Sequence, residues 1–152
     1  MPRAPIAFIL VILVVLLPID WRVLDVRIWW VQLTGGAILV LSTAFAIWAR
    51  LSLGAMWSPV AVTREGHELR TTGPYGVTRH PIYTGLAGML LGTTMLSGSG
   101  KLVPILVAGT ALLFAKATTE ERLLRASLGE PYVRYQHQVP RLIPVPHSRR
   151  IR

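Results

Sequence analysis

Cysteine is absent from all 152 residues, which excludes disulfides, thiolate nucleophiles and cysteine-based zinc or iron–sulfur centres. Histidine is scarce as well. His67, His80, His137 and His147 stand far apart, with no pair at the spacing that sets two imidazoles on one helical face, so no metal site is expected. Acids are few, seven against sixteen Lys and Arg. Any chemistry therefore falls to Arg, His, Glu, Tyr or a bound cofactor.

What the chain has in quantity is apolar residues in unbroken blocks. They make up 52% of it, and the mean hydropathy is +0.50. Blocks without strand or helix periodicity are the pattern of membrane spans. Four are present: Ile6 to Leu17, Val31 to Ala49, Ile82 to Leu96 and Leu102 to Ala117. The first, ending at Pro18, gives a helix of only about 18 Å. It is read as a retained span because no small-x-small cleavage site follows. Trp21, Trp29 and Trp30 suit an interfacial aromatic belt. The short "SGSGK" link predicts that the last two blocks form an antiparallel hairpin, with Pro104 in the first turn of the second helix. From Lys116 onward a polar tail with Leu123, Leu124 and Leu128 on one face is predicted to leave the bilayer and lie along its surface, ending at Gly129 and Pro131. The expected fold class is all-α: a polytopic integral membrane protein of about four transmembrane helices, with a C-terminal helical hairpin and a cytoplasmic tail. It forms one domain, with N-terminal helices over 1–49 and the region carrying chemistry over 50–145.

The net charge of +9 sits beside apolar blocks rather than along a soluble face, so anionic membrane lipid is the expected partner and nucleic acid is not. With four spans, one side holds Arg3, four arginines of the 50–81 loop and eight basic residues from Lys116 on, thirteen in all. The other holds Arg22, Arg27 and Lys101. That asymmetry predicts cytoplasmic N- and C-termini. It also puts the end of the long loop and the start of the tail on one side.

Those two places carry the polar residues that burial does not explain. In "GPYGVTRHPIYTG", residues 73–85, Arg79 and His80 stand before Pro81 at a helix entrance, where free N–H groups and the dipole favour anions. Tyr83 lies one turn inside, and Gly85 is expected to leave space for a flat group. Alternatively, Arg79 and His80 snorkel to headgroups and Tyr83 joins the aromatic belt. Glu120 and Glu121 follow the last apolar block; one is expected to turn inward while the other meets solvent or Arg125, the plainer alternative being an exposed pair with an i,i+4 contact from Glu121 to Arg125. Cations, a carboxylate and aromatic rings beside an apolar groove match a ligand such as S-adenosyl-L-methionine together with a lipophilic small-molecule acceptor. Methyl transfer from a sulfonium asks chiefly for alignment.

The segments "GPYGVTRHPIYTG" and "EERLLRASLGEPYVRYQHQVPRLIP", supported by "LGAMWSP" and "REGHEL", resemble the integral-membrane isoprenylcysteine carboxyl methyltransferases, which are themselves similar to phospholipid methyltransferases. The likeness covers roughly residues 50 to 145. It implies S-adenosyl-L-methionine bound at the cytoplasmic edge by Arg79, His80, Pro81, Tyr83, Gly85, Glu120, Glu121 and Tyr135. It implies catalytic roles for Glu121 and Arg134, and acceptor contacts from Trp57 and Arg141. The chain is shorter than the eukaryotic enzymes, which leaves the acceptor open among fatty acids, phenols, thiols and other small hydrophobic molecules. Two other readings stand beside this one: an NADPH-dependent membrane sterol or enone-type reductase, whose families share Arg-His-Pro-x-Tyr but favour Asn where this chain has Ile82, and a non-catalytic lipid-binding membrane protein.

Overall fold

The computed structural model describes residues 19–54 and 71–143; the expected first span at 6–17, residues 55–70 of the 50–81 loop with Trp57, and the end of the tail lie outside them. Among the described residues every regular element is helical. Four α-helices follow in order: α1, Trp29–Leu53; α2, Pro81–Ser97; α3, Val103–Leu128; and α4, Glu130–Gln138. Short 3-10 turns cover Trp21–Leu24, Gly73–Gly76 and Gly100–Leu102.

Two of these helices are long and apolar enough to cross a membrane, Trp29–Leu53 and the continuous stretch Gly100–Leu128. At 1.5 Å per residue α1 is about 37 Å long, against a hydrocarbon layer of about 30 Å. Their apolar side chains point outward: Leu33 is 67% exposed, Leu41 70% and Val107 57%. An outward apolar surface on this scale suits lipid rather than water. Polar hydroxyls inside the helices are satisfied locally. Thr34, Thr43, Thr94, Thr118 and Thr119 each donate to the carbonyl four residues back.

α1 and α2 pack backbone to backbone. A Cβ on Gly92 would lie 2.6 Å from the Leu39 nitrogen and 2.8 Å from the Gly35 carbonyl oxygen, so only glycine permits the approach. At the far end of the hairpin, Gly98 adopts φ 63 and caps α2 through its N–H to Thr94 and Met95. The preceding link folds onto this turn: Val26 N–H donates to the Gly98 carbonyl, and Gly100 N–H to the Asp25 carboxylate. Pro104 sits in the first turn of α3, as expected.

The structure corrects the course of the stretch after Lys116 and keeps its expected end at Gly129. No helix breaker stands between Lys116 and Leu128, so the polar stretch read as a separate surface helix simply continues α3. The break falls at Gly129, whose φ 60 and ψ −136 re-aim the chain into α4. There Tyr132, Tyr135 and Val139 turn inward against Leu124 and Leu128. The two polar stretches of interest, around Arg79–His80 and Glu120–Glu121, are thus brought together at one end of the α1–α3 stack.

Candidate functional site

Glu121 is the centre of that end. It lies in the last turns of α3 and is 4% exposed, in surroundings that would make a lone carboxylate costly. Two guanidinium groups and two further donors surround it. Arg79 Nη1 is 3.4 Å from Oε1, and His80 Nε2 donates to the same oxygen over 3.3 Å. Arg141 donates to Oε2 through Nε at 3.1 Å and Nη2 at 2.6 Å, and Gln136 Nε2 donates to it at 3.3 Å. Both oxygens are engaged, which makes Glu121 an anchor for its neighbours rather than a free proton acceptor.

These partners come from three separated segments, and the backbone explains how they are held. The tail beyond α4 runs across the entrance of α2: Arg79 N–H donates to the Pro140 carbonyl and His80 N–H to that of Arg141. Thr78 Oγ1 donates to the Arg141 carbonyl at 2.7 Å and Thr84 Oγ1 to that of Leu142 at 2.6 Å. Tyr135 donates its hydroxyl to the Tyr75 carbonyl at 2.6 Å, tying α4 to the Gly73–Gly76 turn. Burial raises the Tyr75 and Tyr135 phenols well above the ordinary range, and burial together with the Glu121 charge pushes Tyr132 up to about 12. All three stay neutral near pH 7.

Glu120 faces a second arm of the site. Tyr83 donates its hydroxyl to Glu120 Oε2 over 2.9 Å, and the Tyr83 ring stacks on His80 with centroids 5.4 Å apart and planes 7° from parallel. Glu120 keeps 31% of its side chain exposed and so retains acceptor capacity. Arg79 Nε, by contrast, is a buried donor without a hydrogen-bond partner. One open carboxylate, one unpaired guanidinium N–H and the unpaired Tyr132 hydroxyl are what the cluster leaves for a ligand.

The geometry thus brings together Arg79, His80, Tyr83, Glu120, Glu121 and Arg141, with Pro81 buried at the first position of α2. Arg125 pairs with Gln136 instead of Glu121. Arg134 points outward on the exposed face of α4, away from Tyr132 and Tyr135, and joins no contact with the cluster among the described residues. The space expected beside Gly85 is filled: a Cβ there would lie 2.7 Å from Ala46 Cβ of α1, so this glycine serves helix packing. The entrance of α2 likewise already holds the carbonyls of 140 and 141. Thr78, Thr84 and Gln136 are members that sequence reasoning passed over. Nothing in a threonine or glutamine marks it in one sequence, but all three lie within the two quoted segments.

Known proteins resemble this chain in sequence and fold. Residues 30–130 match the phospholipid methyltransferase family. The chain belongs to the phospholipid methyltransferase family. Within its wider kin it is 28% identical over 119 residues to protein-S-isoprenylcysteine O-methyltransferase B of Arabidopsis thaliana, covering 76% of this chain and 60% of that protein. It is 33% identical over 102 residues to the protein-S-isoprenylcysteine O-methyltransferase of Schizosaccharomyces pombe, covering 64% and 42%. The cobalt-zinc-cadmium resistance protein CzcN of Cupriavidus metallidurans is 28% identical over 95 residues, covering 61% and 44%. Among solved structures, a eukaryotic intramembrane Ras methyltransferase, isoprenylcysteine carboxyl methyltransferase, superposes with a TM-score of 0.70 at 26% identity over 76% of this chain and 42% of that one. The chain therefore spans from 42% to 60% of the length of these relatives. The family's methyltransferases, and the solved neighbour, stand on the methyl-transfer side of the choice between methyltransferase and reductase.

Proposed function

We propose that this member of the phospholipid methyltransferase family is an S-adenosyl-L-methionine-dependent methyltransferase of the membrane, acting on a lipophilic acceptor. The observation that carries the reading is the meeting of Arg79 and His80 with Glu120 and Glu121, 41 positions apart for the His80–Glu121 pair, at one end of the helices. The donor set fits such a cofactor. Glu120 offers an open carboxylate for its ammonium, Arg79 Nε an unpaired donor for its carboxylate, and the stacked His80–Tyr83 pair an aromatic wall. When bound, the cofactor supplies a methyl carbon on a sulfonium.

The protein's own part is positional. Glu121 fixes Arg79, His80 and Arg141 in one array, and the tail carbonyls hold the entrance of α2 still, so donor and acceptor are aligned without a general base. Loss of charge in such a step is favoured by the apolar surroundings of the helix ends. Four spans, cytoplasmic termini and a tail that covers the cofactor complete the reading, supported by thirteen basic residues on one side against three.

The test is direct. Purified protein in lipid, titrated with S-adenosylhomocysteine, is expected to bind it and to methylate one or more of a panel of hydrophobic acids, thiols and phenols from a methyl-labelled donor. Binding of NADPH instead would replace this reading by the reductase, and binding of neither by a non-catalytic role.

A further inference from the structure

Lys116 takes no part in the clamp around Glu121, yet it stands next to it. Its ammonium lies 5.5 Å from the centroid of the Tyr83 ring, and among the described residues no carboxylate oxygen comes within 4.0 Å of it. The nearest acid along the helix face, Glu120, accepts the Tyr83 hydroxyl instead. A lysine next to an apolar block commonly reaches for lipid headgroups, but this one is folded over a ring of the site.

A second feature leads to the same point. An open groove of about 380 Å³ runs along the seam of α2 and α3, lined by Leu86, Met89, Leu90, Ile105, Leu112 and Leu113 among others. Leu86 lies one turn beyond Tyr83 on α2, and Leu112 one turn before Lys116 on α3, so the apolar lining ends where the Tyr83–Lys116 pair begins. An open, mostly apolar groove with one cation about a helical turn beyond its end is complementary to a molecule with one hydrocarbon chain and one anionic head.

Resting on the methyl-transfer reading, we propose that Lys116 is a specificity-determining residue. It selects acceptors whose reacting head is an anion, a carboxylate above all, carried on an apolar chain in the α2–α3 groove. In the reaction a carboxylate oxygen lone pair forms the O–CH3 bond while the S–CH3 bond breaks and its electrons stay on sulfur. Carboxylate and sulfonium become neutral ester and thioether, and no proton moves. The acceptor's negative charge therefore fades toward the transition state. Attraction to Lys116 is greatest in the bound ground state, and its loss belongs in KM rather than kcat.

Lys116→Gln and Lys116→Arg, each in the full chain in lipid nanodiscs, test this against dodecanoate and dodecanethiol as paired acceptors. Lys116→Gln is expected to raise KM for dodecanoate about tenfold with kcat within about twofold, and to lower the carboxylate-to-thiol selectivity by the same about tenfold factor. Lys116→Arg should retain the selectivity. A fluorescent long-chain carboxylate should bind about tenfold more weakly to Lys116→Gln without any turnover, while S-adenosylhomocysteine affinity stays within about twofold. Equal losses for both acceptors, a loss confined to kcat, or a wild-type chain that methylates the thiol and not the carboxylate would overturn the assignment. A wild-type chain that binds no S-adenosylhomocysteine and methylates neither acceptor overturns the methyl-transfer reading itself, a result distinct from those.

Discussion

At the scale of single residues, Glu120 and Glu121 are neighbours with opposite duties. Glu121 is buried against Arg79, whose side chain is 11% exposed, and Arg141, at 31%, so removing its charge strands two cations in a poorly solvated place. Breaking such a pair from one side costs about 3–5 kcal/mol. Glu121→Gln is therefore expected to lower the thermal unfolding midpoint in detergent by roughly 6–20 °C and to weaken S-adenosylhomocysteine binding at the same time. Glu120→Gln keeps an acceptor for Tyr83 and sits at a half-open position, so it should leave the midpoint within about 2 °C while still lowering that affinity. If both variants lost affinity and stability in equal measure, the division of roles drawn from their contacts would be wrong. The sequence made this pair conspicuous, since two adjacent acids stand out in a chain with seven. Which of them turns inward was not legible, because it depends on the rotation of α3 against α2 and on a tail that arrives twenty residues later. Arg134 shows the reverse: a cation inside a telling segment, left on the outer face because Tyr132 and Tyr135 claim the inner one.

Elements were legible where a breaker marks them and obscure where none does. Pro81, Gly98 and Pro104 fixed the hairpin of α2 and α3 from sequence alone. The course of the stretch after Lys116 was misread, because a change from apolar to polar residues alters a helix's surroundings, not its backbone; its end at Gly129, where a breaker stands, was read correctly. Glycines carry the remaining element-scale information, and they differ in kind. Gly92 is a contact glycine, facing the backbone of Leu39 and Gly35 across α1. Gly129 is a conformational one, with open space around it but φ 60. Gly92→Ala should destabilise by about 1–3 kcal/mol through overpacking, read as a lower unfolding midpoint. Gly129→Ala should cost about 1–3 kcal/mol of local strain and, by shifting α4, loosen the Gln136 and Arg141 contacts on Glu121. Its signature is a loss of S-adenosylhomocysteine affinity larger than its loss of midpoint. Gly129→Ala with affinity intact would mean that α4 is not needed to hold the site together.

For the whole molecule the decisive matter is which compartment each end of α3 meets. Its two ends are about 39 Å apart along the helix, more than the hydrocarbon thickness. The hairpin turn at Gly98–Gly100 and the Glu121 cluster with α4 lie toward opposite ends. The Trp21–Leu24 turn docks at the hairpin end through Asp25 and Val26, with Val23 85% exposed there. At the other end Gln138 closes α4 on an exposed face. The absence of native cysteine makes each of these positions a unique label site once replaced. Val23→Cys and Gln138→Cys, probed with a membrane-impermeant maleimide in intact cells and in inverted vesicles, should react from opposite sides. On the proposed four-span reading, which sets thirteen basic residues on its side, Gln138→Cys should react only in inverted vesicles. Labelling of both from one side would mean that α3 does not cross, and the outward apolar surfaces of α1 and α3 would then need a protein partner rather than lipid. Labelling from opposite sides with Gln138 outermost would keep the membrane fold but move the Glu121 cluster away from the compartment where S-adenosyl-L-methionine is made, and would count against the proposal of that cofactor here.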